Sequence, residues 1–178
     1  HNDHVSGLDD IRPFYFKQGD IPIYASKSVI SALKKRFEYI FKIQDNIPGT
    51  PNVSVNIINN DFEFHNKKIK VLNAFHGKLP VHGFRIDNLA YFTDVKIIPE
   101  REFDKLENLD ILVINALRIE EHYSHLSLDD ALAIIKRLNP KQAYLTHISH
   151  KLGFHKNVQS KLPKNVNLAY DGLVVDGF

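Results

Sequence analysis

The sequence contains no cysteine and no methionine in 178 residues. Without cysteine, disulfide bonds and thiolate metal ligands are excluded, and the redox compartment is left undecided. The chain has no run of about eighteen apolar residues, and it does not open with a basic segment followed by an apolar one, so neither a membrane span nor a signal peptide is predicted. We therefore expect a cytoplasmic protein that does not bind membranes.

The chain also has no large excess of charge of either sign, because it contains 23 basic and 21 acidic residues and its net charge is only +2. Such a balance does not call for a nucleic-acid or membrane partner. A hydrophobic fraction of 43% predicts a sizeable buried core. At roughly 150 residues per domain, the length predicts a single domain.

Two helices can be predicted from apolar spacing and capping residues. The first begins at an N-cap, Ser26 or Ser28, and runs to about Phe41, with its apolar positions at Val29, Leu33, Phe37 and Ile40. The second is capped by Ser127, has Asp130 three residues later, and is stopped by Asn139 and Pro140.

Most of the remaining pattern indicates short strands. A loop is expected over 45–52 and a hairpin turn at Asp87 and Asn88, whose side chains tolerate left-handed backbone conformations. Strands are predicted at 21–25, 53–57, 61–65, 69–75, 83–86, 90–93, 111–115, 144–146, 168–170 and 173–175. Many short strands and a few helices predict a layered α/β or α+β fold.

Histidine is abundant, with ten residues, and imidazole is both a common metal ligand and a common general acid or base. His1, Asp3 and His4 place two imidazoles and one carboxylate within four residues of chain. This spacing suits a borderline-soft ion such as zinc. Terminal histidines are also common as solvated surface groups, so both interpretations stay open at this point.

Further metal-binding residue types follow predicted strands. His76, Asp94 and His147 each stand where a strand ends, and His122 and His125 precede the second helix. These residues also have structural interpretations. His76, and His82 six residues later, which competes with it for the same role, could be hydrogen-bonded core histidines, and Asp94 could be a turn aspartate. Their joint occurrence at strand ends favours a dinuclear hydrolase.

The residues His1-Asn2-Asp3-His4 resemble the His-x-His-x-Asp-His loop of the metallo-β-lactamase superfamily, entered at its second histidine. The similarity continues through the following segments: Phe75-His76-Gly77-Lys78, Tyr91-Phe92-Thr93-Asp94, Ser124-His125-Leu126-Ser127, Leu145-Thr146-His147 and Tyr170-Asp171-Gly172. The order of these motifs resembles the phosphodiesterase branch, which includes the cyclic-ribose-phosphate phosphodiesterase of phosphonate catabolism and, more distantly, ribonuclease Z.

The resemblance implies an αββα sandwich, of which residues 1–178 are the C-terminal two-thirds of a single domain. The chain starts with His1 rather than methionine, so we expect the first motif histidine to precede it. The resemblance places His1 and His76 on one divalent ion, Asp3, His4 and His147 on a second, and Asp94 between them. It favours His76 over His82.

The same resemblance implies a function. Two divalent ions, zinc by default with manganese or iron as alternatives, would activate a hydroxide for attack on a small cyclic or nucleotide-like phosphodiester. Asp3 would orient this nucleophile, and His125 would protonate the leaving group or contact the phosphate.

Four alternatives remain from the sequence. The same centre could hydrolyse a thioester or a lactone, or could process tRNA, although the near-neutral charge and the lack of a basic arm count against RNA. A fragment without the first motif histidine could also be non-catalytic. A homodimer stays open as well.

Overall fold

The computed structural model describes residues 1–41 and 49–176. The chain divides into two compact units, His1–Asn60 and Asp61–Phe178. Among the described residues, no helix is both long and apolar enough to span a membrane.

The first unit joins a short parallel strand pair to a set of helices. Its elements are α1 (Asn2–Val5), a 3₁₀-helix (Ser6–Ile11), α2 (Arg12–Gln18), β1 (Ile21–Ala25), α3 (Lys27–Arg36), α4 (Glu38–Phe41) and β2 (Val53–Ile57). Strand β1 pairs with β2 in parallel, from Ile21 opposite Val53 to Ala25 opposite Ile57. The predicted strands 21–25 and 53–57 are therefore confirmed.

The predicted single helix is two helices, because the backbone leaves the helical region at Phe37. Ser26 is the N-cap, and its side chain accepts a hydrogen bond from the Val29 amide. The expected apolar position Val29 is wrong, since this side chain is 44% exposed. Ile30 is buried in its place and packs in one cluster with Leu33 and Phe37. Most of the predicted loop 45–52 lies outside the described residues.

The second unit is built on a mixed sheet with seven described strands. These strands are β3 (Phe62–Phe64), β4 (Lys67–His76), β5 (Leu79–Ile86), β6 (Leu89–Tyr91), β7 (Ile111–Asn115), β8 (Gln142–Thr146) and β9 (Val166–Leu168), and they lie in this order across the sheet. The pairs from β3 to β6 are antiparallel, and the pairs from β6 to β9 are parallel.

This pairing brings several strand ends to one edge of the sheet. Strand β4 is antiparallel to β5, which is antiparallel to β6, so β4 runs in the same direction as β6, β7 and β8. Their carboxyl ends consequently meet at one edge. Beneath them lies a core that includes Leu72, Phe92, Leu112, Ile114 and Leu145.

The turn and cap predictions in this unit are confirmed. Asp87 has φ 50° in the β5–β6 hairpin. Helix α5 (Leu128–Leu138) begins with a reciprocal capping box between Ser127 and Asp130, and it ends at Asn139 in the left-handed conformation.

Four elements of this unit differ from the sequence-based assignment. The strand expected at 173–175 is irregular backbone, and the one expected at 168–170 lies two residues earlier, as β9. Helix α6 (His155–Gln159) and a 3₁₀-helix over Glu100–Leu106 were not predicted. Both helices are too short to show a clear apolar period.

Candidate metal centre and active site

His76 is the last residue of β4 and is buried, with 7% of its surface exposed. Its Nδ1 lies 2.9 Å from the carbonyl oxygen of Ser124. A carbonyl only accepts, so Nδ1 carries the proton, and Nε2 is the nitrogen with the lone pair. A ring nitrogen that donates to a backbone carbonyl in this way is typical of metal-binding histidine.

The next residue, Gly77, allows the β4–β5 turn to approach the loop that carries Ser124. It has φ 59°, and a β-carbon there would lie 3.1 Å from Cε2 of Tyr123 and 3.3 Å from Cβ of Ser124. A larger residue at this position would therefore separate the two segments that place His76 and Ser124 in contact.

Asp94 follows β6 and shares one oxygen with two imidazoles. Its Oδ1 lies 3.0 Å from Nε2 of His147 and 3.2 Å from Nε2 of His125. The turn is braced because the amide of Val95 donates to Oδ1 of Asn115, at the end of β7. The ends of β6, β7 and β8 thus meet around a single carboxylate.

His147 comes directly after β8 and has φ 53°, in the left-handed region that residues other than glycine rarely adopt. Backbone strain of this kind concentrates at functional sites, where the surrounding structure holds it in place. At this position it directs the imidazole to Asp94.

His125 lies between two other imidazoles. The centroid of its ring is 4.4 Å from that of His76, nearly perpendicular, and 5.0 Å from that of His147, nearly parallel. Burial lowers the pKa of His125 below its ordinary value, and the nearby His76 lowers it further, while Asp94 opposes both effects.

Three of these side chains have the composition of a metal site. Asp94, His125 and His147 each offer one candidate ligand atom, and these three atoms lie within 4.8 Å of one another. Imidazole nitrogen and carboxylate oxygen suit zinc, and they also suit manganese or iron. The residues therefore fit divalent ions. The sequence predicts His125 as a general acid or phosphate contact rather than a metal ligand. The grouping with Asp94 and His147 does not test that role, which stays a prediction.

The other predicted ligands belong to the first unit. His1 is the N-cap of α1, and Nε2 of His4 lies 3.3 Å from Oδ2 of Asp3. These residues form one turn of helix rather than the expected loop. Their place in the metal set stays a prediction.

His82, the rival of His76, lies in the middle of β5 opposite Asn73. Burial lowers its pKa, while the charge of Glu102 raises it, and its Nδ1 is buried with no hydrogen bond to any described residue. His82 is not part of the described group around Asp94.

The contact of His122 and Ser124 with His125 was not predicted from the sequence. Nδ1 of His122 lies 3.2 Å from Nδ1 of His125, and Oγ of Ser124 lies 3.1 Å from the latter atom. The available signal was the spacing His-x-Ser-His, which places two imidazoles and a hydroxyl in one short loop.

Comparisons with known proteins agree with this geometry. Residues 1–148 match the family model described as the beta-lactamase superfamily domain. The structure also superposes on the crystal structure of a diphosphatase from the PhnP family, with a TM-score of 0.90 and 33% identity, covering 100% of this chain and 68% of that one. The chain belongs to the beta-lactamase superfamily. The predicted metallo-β-lactamase fold and its phosphodiesterase branch are therefore confirmed.

Two further known proteins are similar over nearly the whole chain. The short form of human tRNase Z shares 20% identity and a TM-score of 0.68, over 99% of this chain and 75% of that one, which shows the common fold. An octanoyltransferase of Porphyromonas gingivalis (strain ATCC BAA-308 / W83) is 33% identical over 97% of this chain. This chain spans only 35% of that protein's length.

Proposed function

We propose that this protein is a metal-dependent phosphodiesterase that acts on small cyclic or nucleotide-like phosphodiesters. The observation that carries the proposal is the single Asp94 oxygen within 3.0 to 3.2 Å of two imidazoles, in a chain of the beta-lactamase superfamily. A carboxylate oxygen shared in this way is suited to lie between two cations. The PhnP-family diphosphatase, by its name, hydrolyses a diphosphate, which supports a phosphorylated substrate.

In this proposal the ions are held by the histidine and aspartate residues that the superfamily resemblance assigns. His1 and His76 would hold one ion, and Asp94 would be shared by both ions. The other ion would be held by Asp3, His4 and His147. Zinc is the expected metal, with manganese and iron as alternatives, because the set lacks thiolate. When bound, such a pair of ions lowers the pKa of water and neutralises charge on the phosphoryl oxygens.

The side chains then have separate tasks. Asp3 orients the attacking water by accepting its hydrogen bond. His125 contacts the phosphate and donates a proton from Nε2 to the leaving alkoxide, which is costly to expel as an anion. The half-buried position of His125, between two other imidazoles, holds its ring in one place.

A second candidate function is hydrolysis of a thioester or a lactone, and the octanoyltransferase name of one relative, an acyl-transfer activity, is the observation that favours testing it. A third is tRNA processing, by analogy with human tRNase Z. The net charge of +2 counts against tRNA, because binding to a phosphate backbone needs clustered basic residues.

We propose a small-molecule substrate, a cytoplasmic location and either a monomer or a homodimer.

The test uses full-length protein purified without chelator. We expect about two divalent ions per chain by elemental analysis, turnover of a phosphodiester panel, and much weaker turnover of thioesters and lactones. Asp94→Asn should lose bound metal, whereas His125→Ala should keep it and lose turnover selectively on esters with poor leaving groups. Metal-free protein, or a thioester preference, would contradict the proposal. Normal turnover of such esters by His125→Ala would remove the role of His125.

A further inference from the structure

His122, Ser124 and His125 form a closed set of polar contacts in the loop before α5. Nδ1 of His122 lies 3.2 Å from Nδ1 of His125. Oγ of Ser124 lies 3.2 Å from the first of these nitrogens and 3.1 Å from the second. The backbone amide of Ser124 also donates to Nδ1 of His122, at 3.3 Å.

The backbone amide sets the direction of these hydrogen bonds. An amide N–H only donates, so Nδ1 of His122 is the accepting nitrogen and carries no proton. Nδ1 of His125 faces this lone pair, and it therefore carries the proton. The Ser124 hydroxyl is compatible with the same direction, because its oxygen lies 3.1 Å from Nδ1 of His125 and can accept the same proton.

The contact between His122 and His125 also determines where the opposite nitrogen of the His125 ring, Nε2, is directed. With Nδ1–H bonded to His122, Nε2 is the ring nitrogen that faces the centre, 3.2 Å from Oδ1 of Asp94. A carboxylate oxygen only accepts, so Nε2 also carries a proton when it makes this contact. The ring contacts with His76 and His147 do not select this state, because an imidazole has nearly the same shape after a half-turn about its Cβ–Cγ bond. Only a polar partner distinguishes the two orientations.

We propose that His122, together with Ser124, is a positioning residue that holds the Nδ1–H of His125 and so keeps Nε2 directed at the reacting centre. This inference rests on the proposed function, in which Nε2 of His125 serves the leaving group. It assigns His122 no contact with substrate or metal.

The first test observes the tautomer directly, without turnover. In full-length protein loaded with diamagnetic zinc, ¹⁵N–¹H correlation spectra of the imidazoles should show His125 as Nδ1–H, with its signals identified by their loss in His125→Ala. His122→Ala should shift His125 toward a mixture of tautomers. His122→Asn should restore Nδ1–H, because the amide oxygen can accept at about the position of Nδ1.

The second test separates positioning from a merely structural role by using two esters. On a 2′,3′-cyclic nucleotide, whose leaving group is an alkoxide, His122→Ala should lower kcat by about tenfold or more, in the range seen when groups that orient a site residue are removed. On a p-nitrophenyl phosphodiester, whose leaving group needs no proton, kcat should change far less. His122→Asn should recover most of the loss. The matched control is His155→Asn, an exposed histidine on α6, which should behave as wild type on both esters.

Two spectroscopic results would overturn the inference: a wild-type His125 without a proton on Nδ1, or a proton position in the His125 ring that His122→Ala leaves unchanged. An equal loss of kcat on both esters would also overturn it, since that is the effect of a general structural defect. If the wild type hydrolyses no phosphodiester, the proposed function fails, while the spectra still decide the role of His122.

Discussion

Glu102 is a buried carboxylate whose removal should destabilise the second unit measurably. It lies in the 3₁₀-helix Glu100–Leu106 with only 2% of its surface exposed. It accepts hydrogen bonds from the backbone amide of Asn73 at 3.1 Å, from the side-chain amide of Asn73 at 3.3 Å and from Nζ of Lys105 at 2.8 Å. Asn73 lies on β4, the strand that ends at His76.

The magnitude follows from the donors that Glu102→Ala leaves without a partner. Each buried donor without an acceptor costs about 1–3 kcal/mol. Lys105 is 36% exposed and returns to water, so it is left out of the sum. The two donors of Asn73 then give about 2–6 kcal/mol of lost unfolding free energy. Because Asn73 is only half-buried, we expect the lower part of this range, about 2–4 kcal/mol.

The same contacts predict how this contribution depends on pH. Burial by itself raises the pKa of Glu102, but the hydrogen bonds from Lys105 and Asn73 outweigh it, so the pKa lies below its ordinary value of 4.5. A lowered pKa in the folded state means that the stabilisation is present above pH 4.5 and is lost as the pH falls through the folded-state value. The difference between wild type and Glu102→Gln should therefore be largest near neutral pH and shrink in acid.

Urea unfolding followed by circular dichroism at several pH values measures both effects. The matched control is Glu100→Gln, because Glu100 is exposed and its ion pair with Arg137 is screened by water. The control should change stability much less than Glu102→Gln. A loss below about 1 kcal/mol for Glu102→Ala, or a pH-independent difference for Glu102→Gln, would refute this account of the buried contacts.

Two further substitutions test packing and capping. Gly83→Ala should cost about 1–3 kcal/mol in urea unfolding, because the new Cβ would lie 2.4 Å from two ring carbons of the buried Phe92 and 2.9 Å from the Tyr91 carbonyl oxygen. Ser127→Ala should cost about 1 kcal/mol, because the N-cap hydrogen bond to the Asp130 amide is lost at the start of α5.

Each of these substitutions has a control with the same chemical change. Gly7→Ala places its Cβ 3.8 Å from the nearest atom, an oxygen of Asp10, so it should be tolerated. Ser160→Ala removes the hydroxyl of an exposed serine and should change stability little. Wild-type stability of Gly83→Ala would contradict the close packing of β5 on Phe92. Equal effects of the two serine substitutions would contradict the capping contribution.

Local sequence patterns predicted those elements whose signals lie within a few residues of each other. The capping box at Ser127 and Asp130, the hairpin at Asp87 and strand β7 were all predicted because propensity, spacing and turn chemistry agree there. The helix after Ser26 was predicted with the wrong buried position, since Val29 and Ile30 are equally apolar and only tertiary packing distinguishes them.

The order of the motifs from His1 to His147 was sufficient to recognise the superfamily, because the ligand types and their flanking residues are encoded locally. The sequence could not show that one oxygen of Asp94 meets two imidazoles, or that His122 bonds to His125. Those contacts arise because β4, β6, β7 and β8 run in one direction and end at one edge of the sheet. Strand direction and register are set by pairing between segments far apart in the chain, and no local pattern specifies them.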